Sequence, residues 1–264
     1  MRDLSNLPIL DHPVEAASAF TAEALIDDVR RLRDVGHKEP PALCFLEFDG
    51  DLTDWLVEQG IAVPFDSWAC FHTTMFVLEL EGMTCGIIAR TIGGPYAVLI
   101  AEQLRAAGTR LIIGLTSAGR LAADLPLPAL VVADGAIRDE GTSYHYLPPG
   151  DQVNCPAHLT LPIARELASC GLAVRTGKVW TTDAPYRETN VQLEKWATAG
   201  ALAVEMQAAS LFAFAQARKV HAAVVARVSN AVDHKGSQFD TGSHELGLAI
   251  LKAIARAGRA ILGC

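Results

Sequence analysis

Two uninterrupted apolar runs, Leu111-Ile-Ile-Gly-Leu115 and Ala129-Leu-Val-Val-Ala133, do most to limit what this chain can fold into. A strand with one wet face alternates apolar and polar residues. A run with no polar member needs cover on both faces, which helices supply in α/β sheets. Three further strand candidates, Ala42–Leu46, Leu172–Trp180 and His221–Ser229, are spaced between helical patterns. Those patterns are Thr21–Leu32, Leu52–Gln59 before Gly60, and Tyr96–Ala107 with Pro95 in its first turn and Gly108 after its end. Thr160 is expected to cap a helix running to Ser169, with Pro162 in its first turn, and an amphipathic helix Ser243–Leu262 closes the chain. Phe71–Leu80 and Met83–Ala89, separated by Glu81-Gly82, read as a hairpin, which makes the sheet mixed. The expectation is a three-layer α/β/α fold with a central mixed β-sheet, one domain over residues 1–264, with 1–39 as a variable N-terminal leader.

Composition narrows the partners. The formal net charge of −8 gives no general attraction to nucleic acid or to anionic membranes. No apolar run approaches the length of a membrane span and the N-terminus has no signal-like apolar region, so a cytoplasmic protein is expected. The six cysteines form no CxxC pair and no metal-ligand spacing, and read as small buried hydrophobes. No metal site is expected.

One carboxylate stands out. Glu205 lies in Ala201–Arg218, a run dominated by alanine, leucine and phenylalanine that reads as the approach to a buried helix. An unpartnered buried carboxylate costs several kcal/mol, so Glu205 needs either a ligand or the N–H groups of a helix start, and both readings stand. Gly93-Gly94, feeding the helix after Pro95, can seat an anion, and tight strand-to-helix turns use the same glycines for backbone reasons alone. Thr116-Ser-Ala-Gly-Arg120 ends a buried strand, where ligands of open α/β sheets gather. Asp134–Tyr146 gathers charges, hydroxyls and aromatics and reads as a functional loop.

Taken together, three segments resemble the nucleoside phosphorylase superfamily, the uridine and purine nucleoside phosphorylase fold. Ala136–Tyr146 is similar to that family's loop of the same character. Ala203-Val-Glu-Met-Gln-Ala-Ala209 is similar to its EMEAA element, and Thr182-Asp-Ala-Pro-Tyr-Arg-Glu188 resembles its base-binding segment. Ile92–Pro95 and Ser117-Ala-Gly119 resemble its two glycine turns, so the likeness spans roughly residues 40 to 264 in order. The resemblance implies cleavage of a nucleoside's N-glycosidic bond by phosphate, without metal or organic cofactor, on uridine or a related nucleoside. Glu205, Arg187 and Asn230 would be catalytic. Met206, Gln207, Tyr186, Glu188, Thr116 and Ser117 would bind substrate, and Gly93, Gly94, Arg90 and Arg138 would bind phosphate. It also implies a homo-oligomer, dimer or hexamer, with a neighbouring subunit completing the site; His12 is the candidate for that residue.

The departures set the alternatives. Gln207 replaces an acidic residue, and Asn230 stands where purine-specific relatives carry an aspartate. The glycine-aspartate turn of the phosphate seat has only Asp49-Gly50-Asp51 in its region, without its arginine, and Ile113 or Gly114 occupies the place of a second arginine. Arg90, then Arg138, then Arg120 are the substitutes, each also able to serve in a salt bridge. His145 fits a loop-ordering role. A nucleosidase using water, or a nucleoside-binding protein without turnover, remain the competing readings.

Overall fold

The structure is a computed structural model and describes residues 7–231 and 243–263. In chain order it contains α1 (Ala22–Arg33), β1 (Leu43–Glu47), α2 (Asp51–Glu58), β2 (Val63–Pro64), β3 (Met75–Leu80), β4 (Met83–Ala89), α3 (Gly94–Ala107), β5 (Leu111–Arg120) and β6 (Ala129–Asp139). There follow β7 (Gln152–Asn154), α4 (Ala157–Leu167), β8 (Ala173–Thr182), α5 (Asn190–Thr198), β9 (Ala203–Glu205), α6 (Ala208–Arg218), β10 (His221–Ala231) and α7 (His244–Leu262).

All ten strands join one mixed sheet. β1 runs parallel to both β4 and β5, while the β3–β4 hairpin and the two-residue β2 extend the sheet antiparallel on one side. Glu81 and Gly82, the hairpin residues, both have positive φ, as a two-residue turn matched to strand twist requires. On the other side β5 changes neighbours along its length. Leu111–Leu115 pair with β1, whereas Gly119 and Arg120 pair with Val204 and Ala203 of β9. Because β5 also pairs with β10, β10 with β6, β6 with β8 and β8 with β9, those five strands close into a ring. Helices flank the sheet in two groups. α1 packs on α3 and α3 on α6, while α2 and α4 pack on α7. The mixed α/β architecture read from the apolar runs is the one observed.

Three local expectations are corrected and one element is added. Residues 116–120 are not a turn: they continue β5, because β10 offers a parallel partner as far as Ala231. Asp134–Asp139 likewise continue β6 past a bulge, hydrogen-bonded to Lys178–Thr182 of β8, so only the residues beyond Asp139 form the loop. The Thr160 helix begins earlier, at Ala157. Thr160 is buried inside it and Pro162 lies past its first turn, because the apolar stripe Leu159, Ile163, Leu167 starts before the threonine. Helix α5 is the element the apolar pattern does not announce; Thr189 and Gln192 close a capping box at its start. Within the stretch 1–39, α1 buries Ile26 and Val29 and packs on α3. Cys44, Cys70, Cys85 and Cys155 are buried thiols as expected, whereas Cys170 is only half-buried, at the exposed turn after α4. No helix among the described residues is long and apolar enough to cross a membrane.

Candidate active site

The C-terminal ends of β1, β5, β6, β8 and β9 bring the polar residues together, and three buried carboxylates organise them. Glu205 closes β9 and is 3% exposed. Its Oε2 accepts the N–H of Gln207 at 2.6 Å and of Ala208 at 2.8 Å, and its Oε1 accepts the Thr181 hydroxyl at 2.5 Å. Thr181 in turn accepts the N–H of Ala209 at 3.0 Å. The carboxylate thus caps α6, and the first orphan N–H groups of that helix find partners. Burial nevertheless outweighs the hydrogen bonds from Thr181, Gln207 and Ala208 and pushes the Glu205 carboxyl up to about 7.

Glu47 repeats the device at the end of β1: it accepts from Gly50 N at 2.7 Å and from the Thr53 hydroxyl at 2.9 Å, at the start of α2. Burial raises its carboxyl too, against those bonds. Glu140, just past β6, accepts the Ser143 N–H at 3.0 Å and the Ser210 hydroxyl at 2.6 Å.

Thr116 and Ser117 line a small cavity together with Glu47, Asp49, Asp51, Arg227 and His244, enclosing about 30 Å³, room for one or two waters. Ser117 donates to Asp49 at 2.8 Å, and burial raises the Asp49 carboxyl while that bond lowers it. Thr116 Oγ1 lies 3.4 Å from Gln207 Oε1, which also accepts the Met206 N–H at 3.2 Å, so the cavity borders the Glu205 cap. Gln207 is buried and Met206 half-buried.

The residues expected to seat phosphate divide between the turn into α3 and arginines that have protein partners. Gly93, with φ of 88°, starts the turn into α3. Gly94 serves a close approach: a Cβ there would collide with Ser210 Oγ and stand 3.0 Å from Ser210 Cβ. Arg90 is more than half exposed and paired with Asp54, its backbone strained to a φ of 59° where it crosses over Gly50. Arg138 is spent within its own loop, donating to Ser143 Oγ at 2.8 Å, Pro148 O at 2.8 Å and Leu147 O at 3.2 Å, and lying over the Tyr144 ring. Arg120 donates to Leu125 O.

The base-segment residues face mostly outward. Tyr186 and Arg187 stand on an exposed 3-10 turn, Tyr186 with its whole side chain in solvent, while Glu188 is half-buried and its carboxyl is raised by burial. Asn230 pairs with Gly119 through the β10 backbone; its side chain lies outside the described residues. The His12 ring meets that of His145 of the same chain at a tilt of 36°, ring centroids 5.0 Å apart. Sequence reasoning passed over Glu47, Glu140, Thr181 and Arg227. Glu47 follows the apolar run Ala42–Leu46 directly, a carboxylate closing a strand, and Arg227 is the charged member of the apolar β10 run.

A mixed α/β sheet whose β1, β6, β8 and β9 end beside β5, with polar residues and helix-capping carboxylates gathered there, makes a candidate small-molecule site. The family model described as the phosphorylase superfamily matches residues 44–262, and the chain belongs to that superfamily. It is 30% identical to the guanosine phosphorylase of Halorubrum lacusprofundi over 167 residues, 61% of this chain and 68% of that one. It is 27% identical to a DeoD-type purine nucleoside phosphorylase of an Exiguobacterium species over 64% of this chain and 71% of the relative. With the uridine phosphorylase of Klebsiella aerogenes it shares 21% identity over 72% of this chain and 80% of that one.

Proposed function

We propose that this chain cleaves the N-glycosidic bond of a nucleoside, uridine or a related one, with phosphate as nucleophile, giving free base and ribose 1-phosphate. The observation that carries the reading is the Glu205 carboxylate, buried at a strand end and fixed by two backbone N–H groups and Thr181, in a chain of the phosphorylase superfamily. Breaking the bond develops positive charge on the sugar, and a preorganised anion near its hydroxyls stabilises that state more than the ground state. A phosphate oxygen bonds to C1′, the C1′–N bond breaks, and its electron pair leaves with the base, which takes up a proton. The residue set calls for no metal or organic cofactor. We place the reaction in the cytoplasm, in keeping with the buried free thiols.

Water as nucleophile is the second reading, and the cavity beside Thr116 favours it. Three carboxylates line it, it is small, and Arg90 and Arg138 are committed to Asp54 and to loop acceptors. Arg227 also lines the cavity, interacting with Asp49, and is the side chain we assign to phosphate under the first reading. Initial rates against phosphate concentration separate the two for a panel of purine and pyrimidine nucleosides. Under phosphorolysis the wild-type rate saturates with phosphate, and Arg227→Met raises the half-saturating concentration about tenfold through one lost charge-assisted contact. Arg90→Ala does so only if Arg90 leaves Asp54. A flat curve with free ribose as product gives the reaction to water.

We further propose a homo-oligomer. An open groove between the N-terminal segment, α3 and the 141–146 loop exposes Phe20 and Leu99 beside Pro95, Thr142 and Asp183, apolar surface that a second copy would cover. Light scattering at micromolar concentration should return a multiple of the 28.2 kDa chain mass; a monomer there contradicts the assembly.

A further inference from the structure

Glu140 has no part in the reading above, yet its surroundings tie it to Glu205. The N-terminus of α6 carries both carboxylates. Ala208 N–H donates to Glu205, Ala209 N–H reaches it through Thr181, and the next residue, Ser210, donates its hydroxyl to Glu140. The opening residue of α3, Gly94, is packed against that same Ser210 hydroxyl, with Thr142 Oγ1 3.4 Å from where its Cβ would be. Arg138, the cation nearest in the chain, gives its nitrogens to Ser143, Leu147 and Pro148, so the donors on Glu140 are a neutral amide and a neutral hydroxyl.

We propose that Glu140 is a positioning residue for Glu205: it holds Ser210 and the start of α3 against the α6 terminus, and its charge biases the state in which Glu205 meets the sugar. This rests on the reading in which Glu205 faces the sugar. A helix terminus offers about half a positive charge, too little to neutralise two buried carboxylates, and like charges sharing a site raise the proton affinity of one of them. Burial pushes the Glu205 carboxyl up to about 7 against the hydrogen bonds from Thr181, Gln207 and Ala208, and the Glu140 charge acts in the same direction as burial as the smallest of these effects. The groups around the pair are Arg138, Asp139 and Tyr144 from β6 and its loop, and Asp183 after β8, which accepts the Gly141 N–H at 2.8 Å. From α3 and α6 the facing residues are Gly94 and Ser210.

The test compares kcat and KM against pH for wild type, Glu140→Gln, Ser210→Ala and Glu205→Gln. Glu140→Gln keeps the acceptor and removes the charge, so the acid limb of kcat/KM moves down by about half a unit or more. Ser210→Ala keeps the charge and cuts the link, so kcat falls about fivefold with nucleoside KM nearly unchanged and the limb in place. A purely structural Glu140 lowers the melting temperature and moves neither quantity. Glu140→Gln with the wild-type limb, or Ser210→Ala with wild-type kcat, overturns the proposal, and Ser210→Ala alone decides it if Glu140→Gln does not fold. Glu205→Gln at the wild-type rate overturns the underlying reading instead, while an impaired Glu205→Gln beside an unshifted Glu140→Gln sinks only Glu140.

Discussion

At pH 8 the Glu205→Gln variant should melt several degrees above wild type and turn over nucleoside about a hundredfold more slowly. Both effects come from one burial. The carboxyl rises from 4.5 to about 7 on folding, with desolvation as the largest cause. The folded state therefore binds this proton more tightly than the unfolded chain does. The stability Glu205 contributes is complete below about pH 4.5 and is lost as pH rises through about 7, a difference of about 3 kcal/mol. The amide carries no charge, keeps an acceptor for Gln207 and Ala208 N–H, and turns its NH2 toward Thr181. Its advantage in thermal unfolding should vanish near pH 4 and grow between pH 5 and 8. A variant less stable than wild type at pH 8 would mean that the cap outweighs the desolvation. Retained turnover would take Glu205 out of the chemistry.

Gly94→Ala should cost about 2 kcal/mol and most of the activity. The added methyl falls on Ser210 Oγ, which Glu140 holds at 2.6 Å and which cannot rotate away without leaving a buried carboxylate short of a donor. Adding Ser210→Gly removes the obstructing atoms, so the double variant should recover part of the stability but not the rate, since the Glu140 link is gone. A double-mutant cycle by chemical denaturation measures the coupling. Additive losses would show that α3 shifts freely and that the glycine answers only to backbone geometry.

The apolar runs made the sheet legible because burial on both faces leaves no other reading for Leu111–Leu115 or Ala129–Ala133. They could not show where β5 and β6 end. Thr116–Arg120 and Asp134–Asp139 look like loops by composition and are held as strands by β10 and β8, partners more than forty residues away in the chain. Glu205 was legible for a physical reason: a charge amid alanines must be accounted for. Glu47, between Leu46 and Phe48, was masked by the acidic residues after it. The arginines were the least legible, because a guanidinium's partner is a matter of tertiary reach. Only the fold reveals that Arg138 binds carbonyls of its own loop and that Arg90 meets Asp54 thirty-six residues away.

The exchange of neighbours along β5 also decides how this molecule meets others. By closing five strands on themselves it removes the open flank that a sheet of this size would present, and what is left uncovered among the described residues is short. At one end stands β2, two residues long, one of them Pro64, which has no N–H to offer; off the ring stands the three-residue β7. Neither can template a strand from another chain. At those two places the sheet offers a second copy almost nothing to pair with, so an added strand finds no seat there.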